Sequence, residues 1–217
     1  MENLRKYGNA PFNIAVIHGG PGAPGEMAPV AKELSKTFGV LEPLQTQDSI
    51  KEQMEELKEV LEQNGVIPIK LIGWSWGAWL SYMFAAYNPS VIDKLILIGS
   101  GPFEEKYTAE IMDIRLSRLS QDEYAELEEL KDSFNYPNIK NKDVLFARIV
   151  KLYDKTDSYN PIDTRPEAIN VQLNIYRSVW EEAAELRGSG SNARWWQFMV
   201  TMIRIHTREL RNHCRIL

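Results

Sequence analysis

Apolar residues recur along this chain with two different periods, and the two alternate. Short apolar runs that end in glycine or turn residues read as buried strands: "FNIAVIHGG" at 12–20, "VLEPL" at 40–44, "VIPIKLIGW" at 66–74 and "IDKLILIGSG" at 92–101. Between them lie stretches with helical spacing: "GEMAPVAKELSKTFG" closing on Gly39, "DSIKEQMEELKEVLEQNG", and "GAWLSYMFAAYNP", which Pro89 ends. In the second of these, Ser49 and Glu52 have the spacing of a capping box and Gly65 is the stop. Strand and helix in strict alternation predict an α/β fold. Its sheet should be parallel, with helices on both faces. Four parallel strands are expected near 13–17, 39–44, 67–72 and 94–99, the second at an edge and the first beside the third.

After Pro102 the texture changes. From Phe103 to about Arg187 the chain is polar, acidic and helical, as in "SQDEYAELEELKDSF" and "EAINVQLNIYRSVWEEAAELR", and no strand pattern stands out. The expected organisation is a core over 1–102, a helical insertion over 103–187 and a tail over 188–217.

Bulk properties narrow the function class. The chain has 217 residues, 44% hydrophobic and 25% charged, which suits an ordinary globular protein. A net charge of −5 argues against a nucleic-acid partner. No apolar run has the length of a bilayer span, so no membrane association is expected, and the first residues lack a secretory-signal pattern. The cytoplasm is the expected location. Cys214 is the one cysteine, so no internal disulfide framework forms; His18, His206 and His213 are too few to suggest a metal site. Neither a cofactor nor a metal is expected. The expected partner is a small molecule or short peptide, and the oligomeric state is left open.

The chemistry concentrates in "GWSWG", residues 73–77. Gly-x-Ser-x-Gly between a strand and a helix is the context of a nucleophile elbow with Ser75 at its tip. Gly73 and Gly77 remove side chains where strand and helix crowd a sharp turn. The helix N-terminus behind Ser75 favours developing negative charge. The competing reading is a glycine-flanked turn with Ser75 as an ordinary helix N-cap. A second glycine-rich turn, "HGGPGAPG" at 18–25, follows another strand end. Glycines there let backbone N–H groups approach an oxyanion.

"HGGPG", "GWSWGAWLSYMFAAYNP", "IDKLILIGSG" and a helical insertion together resemble the α/β-hydrolase family, in its proline iminopeptidase-like branch, over about residues 12–187. The resemblance implies Ser75 as nucleophile and an oxyanion hole from the N–H groups of Trp76 and Gly20, with His18, Gly19, Gly73 and Gly77 as supporting motif residues. It implies that 103–187 is a cap over the site. The chain departs from the family's pattern in three places. Only about a dozen residues precede the strand that leads into the first glycine turn, where the family has two or more strands. "GA" stands at 77–78 where iminopeptidases often have two glycines. No strand ending in an acid, and no late Gly-His, follows the insertion.

The tail "GSNARWWQFMVTMIRIHTRELRNHCRIL" has Trp195, Phe198, Met199, Met202 and Ile203 at helical spacing, and so reads as an amphipathic helix. A second reading uses the single codons of Trp and Met. Read out of phase, Trp195–Trp196 forces Val, Trp196–Gln197 forces Ala, Met199–Val200 forces Gly and Met202–Ile203 forces Asp. The neighbouring codons permit "IKCPVVAIHGDYDPHP", an apolar strand running into Gly-Asp-x-Asp. The tail is therefore expected to be frameshifted and poorly anchored, with His206, His213 and Cys214 as accidents of the wrong frame. The catalytic acid and base are then expected to be missing, the histidine beyond the end of the chain. The expected function is that of a serine hydrolase for small amides or esters, including peptides with an N-terminal proline, inactive as written. The alternatives are a non-catalytic remnant or binding protein on the same fold, and an esterase or thioesterase.

Overall fold

The computed structural model describes residues 3–102, 106–135, 142–157 and 172–188. These fall into two compact units: residues 1–101 with the chain from 166 onward, and residues 102–165.

The first unit is built on a five-stranded sheet. Its strands are β1 (Leu4–Tyr7), β2 (Phe12–Ile17), β3 (Gly39–Pro43), β4 (Ile69–Trp74) and β5 (Ile92–Ile98), in the order β1-β3-β2-β4-β5. Four of them are parallel and lie where the apolar runs predict. The first expected strand does sit beside the third. Two expectations fail. The sheet is mixed, because β1 runs antiparallel to β3, and β1 rather than the 39–44 strand forms that edge. The residues before the first glycine turn thus supply a strand of their own.

Helix α1 (Ala28–Leu34) covers one face. Ile14 and Val16 of β2, Val40 of β3 and Ile72 of β4 close there over Met27 and Ala31. The alternate residues Ala15, Ile17, Leu41 and Leu71 point to the opposite face and are fully buried there. Helices α2 (Ile50–Asn64) and α3 (Trp76–Tyr87) pack on that side with Leu57, Leu61, Leu80 and Phe84, all at 0% exposure. The serine half of the expected capping box is present at the start of α2: Glu52 N–H donates to Ser49 Oγ at 3.3 Å, while the Glu52 carboxylate accepts from the Ser49 hydroxyl at 2.8 Å.

The second unit contains α4 (Lys106–Ser117), α5 (Gln121–Asn135) and α6 (Lys142–Asp157). Bidentate Arg148–Glu126 and Arg115–Asp157 pairs, with Lys155–Glu123, tie these helices together. Helix α7 (Leu173–Gly188) lies within the stretch expected to form the cap, yet it belongs to the first unit. Residues 189–217, including the amphipathic or frameshifted tail, lie outside the described residues.

Candidate active site

Strand order fixes where a ligand would sit. From β2 the chain moves outward to β3 and then returns to the other side of β2 as β4. Helix connections diverge at that reversal, leaving a crevice at the carboxyl ends of β2 and β4. The last parallel pair there is Ile17 with Gly73. Gly19 and Ser75 each lie two residues beyond it, at the ends of neighbouring strands.

Ser75 occupies the single residue between β4 and α3, with φ 52° and ψ −116°. A non-glycine residue with positive φ stores on the order of 1–3 kcal/mol of strain and persists only where its surroundings hold it. Here Ser75 N–H donates to Ile98 O at 3.0 Å, and Ser75 O accepts from Ala78 N–H at 3.0 Å. The flanking glycines are required by contact. A Cβ at Gly73 would lie 2.6 Å from the Gly77 carbonyl carbon, and one at Gly77 would lie 2.8 Å from the Ile17 carbonyl carbon. The first lets helix fold sharply back on strand, and the second seats α3 against the end of β2. The Ser75 hydroxyl makes no capping hydrogen bond. The N-cap reading therefore fails at Ser75, while Ser49, in extended backbone at φ −126°, caps α2 with its hydroxyl.

The glycine turn stands beside the elbow. His18 is fully buried and its Nδ1 lies 2.7 Å from Gly19 O. Burial lowers its pKa, and a carbonyl partner requires Nδ1 to carry the proton, so the ring is neutral with Nδ1–H. Gly19 lies against the Trp74 indole, and Gly20 at φ +40° opens a turn closed by Ala23 N–H on Gly20 O at 2.9 Å. Gly22 carries the next element: Gln172 N–H donates to Gly22 O at 2.6 Å, and a Cβ on Gly22 would meet Gln172 O at 2.6 Å. Thus α7 begins on the glycine turn.

Helix α7 also reaches the elbow. Trp180 packs against Trp76 at 5.8 Å and Trp79 at 6.2 Å, with Tyr176 6.1 Å from Trp180. Glu182 accepts from Ile50 N–H at 2.7 Å, at the N-terminus of α2. Trp76 itself is 3% exposed, and its indole N–H donates to the fully buried Gln53 at 3.2 Å. Sequence reasoning missed Gln53, Trp180 and Glu182. Gln53 had a signal: it is a polar residue on the buried face of α2 between Ile50 and Leu57. The contacts of α7 had none, because they join elements over a hundred residues apart.

Among the described residues no side-chain base is hydrogen-bonded to Ser75, and His18 is the one histidine present. His206, His213 and Cys214 lie outside the described residues. No group of three or more potential metal-ligating side chains occurs among the described residues, nor does a helix long and apolar enough to cross a membrane. A shallow depression of about 480 Å³, lined by Leu4, Arg5, Lys6 and Tyr7, lies on the outer strand β1, with β3 between it and the β2–β4 crevice.

Comparison with known proteins agrees with this architecture. A family model described as alpha/beta hydrolase fold matches residues 14–185. Among solved structures, VinJ superposes with a TM-score of 0.53 at 18% identity, over 79% of this chain and 70% of its own. An epoxide hydrolase from Bacillus megaterium gives 0.48 at 17% identity, over 81% and 66%. A carboxylesterase from Nitrososphaera gargenis gives 0.42 at 20% identity, over 71% and 63%. No curated protein matches the chain significantly. The chain spans 56% of the length of a putative lipase from Acinetobacter baumannii that it also matches, and 63–70% of the length of these three structures. With the family match running from β2 into α7, the chain belongs to the alpha/beta hydrolase fold family.

Proposed function

We propose that the site is built for acyl transfer to water through an acyl-enzyme on Ser75. The observation that carries this reading is the strained Ser75 turn at the β2–β4 crevice, with a hydroxyl spent on no cap. Ser75 Oγ attacks the carbonyl carbon of a small amide or ester while a base takes its proton. The resulting oxyanion is held by the N–H groups of Trp76 and Gly20. Trp76 is the first residue of α3, so its N–H has no partner within the helix. Collapse of the intermediate expels the amine or alcohol with the transferred proton, and water repeats the sequence to release the acid. The resemblance to iminopeptidases adds peptides with an N-terminal proline to the substrate class, and the 103–187 segment is assigned as the cap.

We infer that the base and the acid that orients it are missing, because none is bonded to Ser75 among the described residues. We assign the chain from about Asn192 to a shifted reading frame, on the codon correspondence that spells a strand ending in Gly-Asp-x-Asp. Without a base, turnover falls to the residue left by binding and the oxyanion hole, on the order of 10³–10⁴-fold over water. The absence of any base bonded to Ser75 among the described residues also favours a second reading, a binding protein or non-catalytic remnant on the same fold.

The test is covalent labelling by a fluorophosphonate, located by peptide mass spectrometry. Slow labelling at Ser75, abolished in Ser75→Ala and accelerated when the frame is restored, is the expected result. Labelling elsewhere, or none in the frame-restored protein, would remove Ser75 as nucleophile. Rapid labelling of the 217-residue chain would instead reveal a base supplied by the chain as it stands.

A further inference from the structure

The residue that follows the nucleophile is tethered by its side chain. Trp76 donates its indole N–H to Gln53 Oε1 at 3.2 Å, and Gln53 Nε2 donates to Gln47 O at 2.8 Å. Gln53 is wholly buried, so both ends of its amide are used within the protein and water cannot stand in for either. The amide therefore links the loop after β3, the second turn of α2 and the first residue of α3. The Trp180 ring packs against that of Trp76, with 5.8 Å between centroids. The Ser75 backbone strain has to be held by its neighbours. Backbone bonds from Ile98 and Ala78 hold Ser75 itself, and the Gln53 amide is the polar anchor on Trp76.

We propose that Gln53 is a positioning residue for the oxyanion hole, acting through the Trp76 indole on the orientation of the Trp76 backbone N–H. The inference rests on the acyl-transfer reading of Ser75. It assigns to α2, which touches no reacting atom, a share in transition-state stabilisation. An oxyanion hole is worth its full value only when its donors are fixed in advance. A donor displaced by about 1 Å costs on the order of 10²-fold in rate.

The missing base makes this measurable, because residual turnover of an activated ester depends on the oxyanion hole and binding. The experiment follows p-nitrophenyl acetate hydrolysis above the buffer blank by the 217-residue chain and by its Gln53→Leu, Trp76→Phe and double variants. Gln53→Leu should lower the kcat above that blank by about 10²-fold or somewhat less, with KM unchanged. Trp76→Phe removes the same hydrogen bond from the other partner and should do likewise. The double variant should be no worse than the poorer single one, since both act through one contact. Losses that multiply, or a fall in thermal stability with kcat untouched, would overturn the proposal. A parallel 15N–1H measurement on the Gln53→Leu protein needs no turnover. The Trp76 backbone amide resonance should move along with its indole resonance, and an indole shift with a stationary backbone amide would overturn the proposal. Slow fluorophosphonate labelling of Ser75 tests the nucleophile reading separately, and its failure would leave the resonance measurement to decide on Gln53.

Discussion

Two serines stand at helix starts in this chain and do opposite things. Ser49 has extended backbone, and its hydroxyl accepts from the Glu52 N–H. Ser75 has positive φ, and its hydroxyl caps nothing. Replacing Ser49 by alanine should therefore cost about 1 kcal/mol, the usual worth of such a cap. Ser75→Ala should change stability by less than about 0.5 kcal/mol, because no hydrogen bond is lost. Urea denaturation of both variants checks the contrast, and a Ser75→Ala loss as large as that of Ser49→Ala would return Ser75 to a structural role. Both residues were legible in the sequence because their signals are local: Ser-x-x-Glu for one, Gly-x-Ser-x-Gly after an apolar run for the other. Gln53 was legible only as a polar residue on a buried face; its role was not, since its partners lie on a loop and on a helix that the sequence does not place beside it.

Whole elements follow the same division between local and distant causes. The four parallel strands were readable because burial on both faces makes each a nearly continuous apolar run. Strand β1 was not, because "LRKY" is half charged and gains its place from long-range contacts. Tyr7 OH donates to the buried Glu42 at 2.6 Å, and Arg5 lies 3.8 Å from the same carboxylate. Burial first, and then the Glu42 carboxylate, push the Tyr7 pKa up to about 12. A raised pKa favours the protonated form in the folded state. Its stabilising share is complete below about pH 10, the unfolded value, and is lost as pH rises through about 12. Tyr7→Phe should abolish that part of the alkaline loss. Tyr82 and Tyr87, also raised by burial, keep theirs, so denaturation midpoints between pH 9 and 12 for the two proteins isolate Tyr7.

The helical unit shows the reverse sign. Lys155, at 2.5 Å, and then the Ser120 N–H, at 2.9 Å, hold the Glu123 carboxylate down to about 2 from an ordinary 4.5. Its contribution is present above about pH 4.5 and disappears as pH falls through about 2. Ser120 and Glu123 also form a capping box at α5, so the lost charge loosens a helix end as well as the α5–α6 tie. Lys155→Met should flatten the acid limb of helicity measured by circular dichroism. An unchanged limb would mean that other carboxylates control it.

At the scale of the molecule, helix α1 covers the sheet over β2 and β3, and among the described residues the same face stays open toward β5. Trp74, Ile96 and Ile98 are each more than a third exposed there, and among the described residues β5 pairs with β4 alone. An apolar strip beside an unpaired strand edge promotes association. The out-of-phase reading of the tail supplies what that strip lacks, an apolar strand that could add to β5, and the acid-bearing turn that would serve Ser75. On the proposed shift of frame the two deficits have one cause and should be repaired together. The expected outcome of restoring the frame near codon 192 is a chain that stays monodisperse in light scattering, binds less of a hydrophobic dye and hydrolyses esters through Ser75. Ile96→Thr with Ile98→Thr in the 217-residue chain should reduce dye binding and association without raising hydrolysis, since it alters the strip and supplies no base. Activity that returns with the frame while dye binding stays high would separate the two deficits and show that something other than a strand on β5 covers Ile96 and Ile98.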